Sequence, residues 1–214
     1  SWHINDKFST GLLVHYSNDK MQHDGNDDGF LDNPLATQIN VLNRWQYTNA
    51  EKGWVSFINA RFMNDEKQAG QVDFSPRLHK GSNIYWGSEI NTRRLDLSAK
   101  LGYVFPDMPY QSIGFQNAFN THDQNSYFGL NKYDIRQTSY YSNLIFNSII
   151  SNTMNKFAAG LNFTYDDYNE FVGVTNLERN FDRIVNSVGA FFEYTYDNSD
   201  NFSFIAGARV DNHN

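Results

Sequence analysis

The sequence predicts an all-β chain whose antiparallel, up-and-down strands form part of a large transmembrane β-barrel. Three observations predict it. Apolar and polar residues alternate with period two in segment after segment. Short and long connections follow one another in turn. Aromatics make up 16% of the 214 residues, yet the mean hydropathy is −0.63. A wall with one greasy and one wet face combines those two values, whereas a soluble core does not.

The strands can be justified in order. Weaker alternation marks 7–17, 37–48 and 54–63. Over 95–105, Leu95, Leu97, Ala99, Leu101, Tyr103 and Phe105 share a face opposite Asp96, Ser98, Lys100 and Gly102. Over 111–121, Ile113, Phe115 and Phe119 oppose Ser112, Gly114, Gln116 and Asn120. A weaker pattern covers 133–150. Over 156–166, Phe157, Ala159, Leu161, Phe163 and Tyr165 oppose small and polar residues. Segments 184–196 and 202–211 repeat the pattern, and within 202–211 only Ile205 is out of phase. The total is about nine strands and no convincing helix.

The connections carry their own signal. Short ones read TNAEKG (48–53), PDMPYQ (106–111), SNTMN (151–155) and DNSDN (197–201), rich in turn formers. Long ones are expected near 18–36, 65–83, 122–132 and 167–183. A membrane barrel alternates in this way, with tight turns on one side and ligand-facing loops on the other. A soluble β-sandwich also alternates along its strands. Three features favour the barrel: strands longer than the usual length, the alternating connections, and aromatics near the ends of the apolar faces. Those aromatics are Tyr103, Phe105, Tyr165, Tyr194, Tyr196 and Phe202.

Composition excludes several classes. A net charge of −7 argues against a nucleic-acid partner. The absence of cysteine removes disulfides, thiolate metal sites and a cysteine nucleophile, and it fits a Gram-negative envelope. No window approaches the apolar length of a membrane helix. The opening SWHINDKFST has no signal-peptide pattern and reads as the middle of a longer protein. An odd strand number does not close a bacterial up-and-down barrel. The polar face also carries Arg44, Arg61, Asp96, Lys100, Glu193, Arg209 and Asp211. A narrow, side-chain-packed barrel would find these charges costly. The chain therefore reads as an arc of a wide barrel with a wet or plugged lumen, its charges paired with one another, a plug or water.

Several stretches carry a family resemblance. They are DGNDDGFLDNP with VLNRWQY, then NTRRLDLSAKLGYVFPDMPYQSIGFQNAFNTHDQNSYFG, then YYSNLIFNSIISNTMNKFAAGLNFTYDDYNE, then FSFIAGARVDNHN. In order and spacing they resemble the barrel of TonB-dependent outer-membrane receptors of the Bacteroidetes type, from about Lys7 to Asn214. The resemblance implies that 1–214 is the central part of such a barrel, without plug or TonB-contacting box. It implies uptake of a scarce nutrient of the siderophore-iron, haem or cobalamin class, driven by the TonB complex through a plug. It also implies outer-membrane lipid around the wall. A surface lipoprotein is a further possible partner of such barrels. The alternatives are a soluble calcium-stabilised β-sandwich that binds carbohydrate, and a passive porin.

The segment DGNDDGFLD raises a metal question. Asp24, Asn26, Asp28, Gly29 and Asp32 match positions 1, 3, 5, 6 and 9 of a calcium loop, and the Phe30 carbonyl would supply position 7. Position 12 is Leu35 rather than Glu, and Asn33-Pro34 disfavours a helix there, so this is no EF-hand. Glu66 or Asp73 on the next long connection would complete the shell. An ion here would brace a loop. The bland alternative is a solvated acidic loop rich in turn formers.

Other candidates are weaker. Tyr85 and Trp86 in GSNIYWGSE read as ligand-stacking aromatics or, preferably, as girdle residues. Arg77, Tyr127 and Tyr133 are further loop candidates for ligand binding. The six histidines form no close ligand pair, and no HExxH, GxSxG or phosphate loop is present. Asp167 with Glu170 resembles a glycosidase pair but reads better as a solvated loop mouth. The chain is not expected to be an enzyme.

Overall fold

The computed structural model describes residues 2–174, 177–198 and 201–214. Ten strands form one antiparallel sheet in sequence order. They are β1 (Trp2–Asn5), β2 (Phe8–Asp19), β3 (Leu35–Asn49), β4 (Trp54–Gly70), β5 (Gly87–Val104), β6 (Ser112–Phe128), β7 (Asn131–Ile150), β8 (Asn152–Val174), β9 (Leu177–Asp197) and β10 (Ser203–His213). A single-turn helix, α1 (Pro76–His79), lies between β4 and β5. No helix among the described residues is long and apolar enough to cross a membrane.

The sheet is open, and β1 is the strand that the alternation missed. It is four residues long and every residue is exposed, so it has no buried face to set a period. The expected loops at 122–132 and 167–183 need correction. Most of both are strand: β6 runs to Phe128 and β8 to Val174. The β6–β7 connection shrinks to residues 129–130, while residues 175–176 and 199–200, in the expected 167–183 loop and 197–201 turn, lie outside the described residues. The reason is chemical. Thr121 to Ser126 are all polar, so no face contrasts with the other there, yet the backbone still pairs residue by residue from Thr121↔Thr138 to Phe128↔Asn131. Only the connections at 20–34 and 71–86 remain long.

The register assigns every side chain to a face. One face carries Phe8, Val14, Trp45, Trp54, Ile58, Phe62, Leu97, Leu101, Phe115, Leu144, Phe157, Leu161, Phe163, Val188 and Phe192. On β8 this band runs from Phe157 to Tyr165, nine residues, the span of a tilted transmembrane strand. The other face carries Arg44, Arg61, Asp96, Lys100, Glu193, Arg209 and Asp211, all on one side as expected. Arg61 and Asp96 approach to 4.0 Å, and Arg209 and Asp211 to 2.7 Å. Arg44 sits 5.2 Å from the Phe57 ring centroid.

The band is oblique to the sheet. A hydrogen-bonded row runs from Trp54 through Tyr103, Ile113, Phe146, Ala159 and Phe192 to Ala208. The aromatic lower edge leaves this row as it crosses the sheet. It lies at Trp54, then at Phe157, Tyr196 and finally Phe202, about six residues from Ala208. At ~3.3 Å per residue and ~4.8 Å per strand, that slip corresponds to a strand tilt of about 35°.

No second layer covers either face. Among the described residues only Phe74 (4%) and Tyr127 (5%) are buried large apolar side chains, while Leu161 and Val188 are each 56% exposed. Sheets with uncovered faces are completed by packing against a further layer or by closure.

Candidate functional site

Above the band, the strands continue toward the long connections, and both faces become polar. Two groups of side chains meet there, one on each face.

The first group lies on the same face as the band. Here the connection 71–86 folds back onto the sheet. Gln71 N–H donates to the Trp86 carbonyl at 3.0 Å, and Trp86 N–H donates to Gln71 Oε1 at 2.6 Å. Ser75 N–H donates to His79 Nδ1 at 3.1 Å, closing the turn that holds α1. The Phe74 ring then drops against Gly87, where a Cβ would lie 2.2 Å from the ring. Phe74 also faces Tyr127 and His79, with centroids 6.4 and 6.3 Å away. Lys80 Nζ stands 4.3 Å from the Tyr127 centroid and 3.8 Å from Glu89.

Beside this anchor lies a cleft of about 350 Å³, lined by Lys80, Asn91, Asn125, Tyr127, Leu130 and Lys132 among others. The Tyr127 hydroxyl is buried beside the Glu89 carboxylate. Burial raises its pKa well above the ordinary value near 10, and the neighbouring Glu89 carboxylate adds to the rise.

The second group lies on the opposite, charged face. The Tyr133 hydroxyl donates to Glu170 Oε2 at 3.2 Å, and Arg183 Nη1 donates to Glu170 Oε1 at 2.5 Å. The Arg183 guanidinium covers the Tyr168 ring at 4.2 Å. Gln137 Nε2 donates to the Tyr168 hydroxyl at 3.2 Å and to Ser139 Oγ at 2.9 Å, and Ser139 bonds Asp166. Burial raises the Tyr133 pKa, with Glu170 adding to the rise.

The five expected ligand-binding residues are thus divided. Tyr127 and Tyr133 are strand residues on opposite faces, not loop residues. Arg77 is exposed on α1. Tyr85 packs on His79 with centroids 4.8 Å apart. Trp86 is 48% exposed and contacts the backbone at Gly129, whose φ of +61° and close indole suit a residue without Cβ. Trp86 precedes β5, beyond Leu95 and outside the aromatic edges of the apolar band. Asp167 and Glu170 point to opposite faces of β8 and form no pair. Glu170 instead joins Tyr168, Arg183, Gln137 and Asp166. The even-numbered positions of β8 gather three of these residues, Asp166, Tyr168 and Glu170, on one face, but beyond residue 166 the two faces no longer differ in polarity and the periodicity does not mark them.

The DGNDDGFLD segment folds as a turn held by its own carboxylates. Asp24 Oδ1 and Oδ2 accept from Asp28 N–H and Gly29 N–H, at 3.1 and 2.8 Å. Asp28 Oδ1 accepts from Phe30 N–H, and Asp32 Oδ2 from Gly25 N–H, both at 2.8 Å. Asn26 Oδ1 accepts from Asp28 N–H at 3.3 Å. Among the described residues no group of three or more His, Asp or Glu is gathered as for a metal ion. The side-chain acceptors gathered in this turn are oxygens, the donor type calcium favours. Glu66, one of the two residues expected to complete the shell, stands within β4 opposite Thr37 rather than on a loop. The turn is tied to the next connection. Leu31 N–H donates to the Gly70 carbonyl and Val72 N–H to the Gly29 carbonyl, both at 2.9 Å.

No protein-family model matches the chain, and no curated protein does.

Proposed function

We propose that the chain is part of the wall of a TonB-dependent outer-membrane receptor for a scarce nutrient. The observation that carries the membrane part is the two-faced sheet. An unpacked apolar band of transmembrane height, edged by aromatics and tilted by about 35°, backs a face lined with charges. Lipid covers the band, and further strands continue the sheet from its two open edges. The transport part rests on the resemblance of the sequence segments to the receptor family. In that reading the Tyr133–Glu170–Arg183 network faces the lumen, where an incoming siderophore-iron, haem or cobalamin complex passes. Arg183 and the two tyrosines suit a flat or anionic ligand.

Fractionation of cells making the full-length protein tests the membrane part. The protein is expected in the outer membrane, with a gel mobility that changes on boiling. A monomer cooperatively folded in plain buffer would sink the barrel reading and favour the sandwich. Uptake assays with ferric siderophores, haem and cobalamin in cells with and without TonB then separate receptor from porin. Uptake that persists without TonB marks a passive porin.

Calcium at the Asp24–Asp32 turn is part of the same proposal, as a brace between the two long connections. Calcium titration of the protein and of Asp24→Asn should give binding only to the parent. Equal heats from both rule the ion out.

A further inference from the structure

The cleft beside Tyr127 lies on the face of the sheet that carries the apolar band, opposite the charged face. On that face the rows above the band follow a fixed order. Leu97, Phe119 and Tyr140 form the last largely apolar row. A row with Leu95, Thr121 and Thr138 follows, then Arg93, Asp123 and Arg136, with Arg136 paired to Asp123 at 3.0 Å. Asn91, Asn125 and Asp134 form the next row and line the cleft. Tyr127 and Lys132 stand directly above them.

Height decides what reaches this cleft. The Asn91 row is four residues beyond Leu95 and six beyond Phe119. At ~3.3 Å per residue and the tilt above, that places it about 11–16 Å beyond the apolar band. A phospholipid headgroup layer is only about 5–8 Å thick on each side. A simple phosphodiester headgroup therefore ends near the Arg93–Arg136 row, and only a longer, sugar-built headgroup extends into the cleft.

The lining chemistry agrees. Asn91 and Asn125 present amides that both donate and accept, as sugar hydroxyls require. Lys80 and Lys132 add ammonium donors, and the exposed Leu130 offers an apolar surface for a sugar ring. Tyr127, only 5% exposed, forms part of the wall, with its buried hydroxyl beside Glu89. Exposed Trp86 stands at the rim against Gly129.

We propose that this cleft binds the extended sugar headgroup of a glycolipid in the leaflet that surrounds the wall. The proposal rests on the barrel reading. Acyl chains lie on the band, charged headgroup atoms meet Arg93 and Arg136, and the distal sugars enter between α1 and the β6–β7 turn.

The test uses the full-length protein in nanodiscs of phosphatidylethanolamine, with or without rough lipopolysaccharide as probe. Glycolipid retained after purification is quantified by mass spectrometry for the parent, for Asn91→Leu/Asn125→Leu, and for Lys132→Ala. A change of gel mobility on boiling confirms a folded barrel in each case, so a failure of the barrel reading appears there and not in the lipid measurement. The expected result is about tenfold less retained glycolipid in the variants, the effect of losing one or two charge-assisted or bidentate hydrogen bonds. The delipidated sugar headgroup should compete with the lipid for the parent. Equal retention by parent and variants, or no competition by the sugar, would overturn the proposal and leave the band as the only lipid contact.

Discussion

The Phe74 ring occupies the space that a side chain at Gly87 would fill, with only 2.2 Å between an ideal Cβ and ring atom Cδ1. That contact pins the 71–86 connection to the sheet. It is backed by the Gln68 Nε2 donation to the Phe74 carbonyl at 3.4 Å and by the paired bonds between Gln71 and Trp86. Replacing either residue should free the connection without unfolding the sheet, because none of these bonds belongs to a ladder. For Phe74→Ala we expect a loss of about 2 kcal/mol or more in local stability, roughly thirtyfold in the open population. Limited proteolysis near exposed Leu78 measures it. Gly87→Ala should act in the same direction by expelling the ring. Unchanged cleavage in both variants would mean that the ring does not hold the connection.

Leu161 and Phe192 test the orientation of the sheet. Both lie within the band and are 56% and 47% exposed, so each presents about half of its side chain outward, Phe192 while stacking on Phe157. If lipid covers that face, Leu161→Arg or Phe192→Arg in the full-length protein should cost about 2–4 kcal/mol, as arginine does near the bilayer midplane. Gln116→Arg, on the opposite face, should cost much less because it meets water. Denaturant unfolding in vesicles compares them. Equal costs on both faces would remove the distinction between lipid side and lumen side.

How much of this was legible in the sequence depends on contrast between faces. Phe157, Ala159, Leu161, Phe163 and Tyr165 announce a strand because each neighbour between them is small or polar. From Tyr168 to Val174 the same strand continues without that contrast, so periodicity loses it. The two groups of side chains above the band were therefore only partly visible. Trp86, Tyr127 and Tyr133 stand out as aromatics in polar surroundings, but which of them meet depends on strand register. Register moves one residue from one face to the other with a shift of one position. Nothing in the local sequence says that Gly87 is vacant to receive Phe74, since they are thirteen positions apart and meet only once the β4–β5 pairing is set. The DGNDDGFLD turn was legible as a turn because its bonds are local, within seven residues.

Tyr127 makes a prediction about pH. Its hydroxyl is buried beside the Glu89 carboxylate, so ionisation is disfavoured in the folded protein and its pKa lies above the ordinary value. In the unfolded chain the same group ionises near 10. Below that pH both states hold the proton, and Tyr127 contributes no slope. Above it the unfolded state releases a proton that the folded state keeps, so stability falls as pH rises. Tyr127→Phe removes the proton and with it this part of the fall. At neutral pH both folded and unfolded states keep the proton, so the pH-dependent part of the difference between parent and variant vanishes there. Thermal unfolding of the full-length protein from about pH 8 to about pH 11.5 measures both effects. Parallel pH profiles for parent and variant would show that Tyr127 is solvated, and would open the wall of the cleft that it forms.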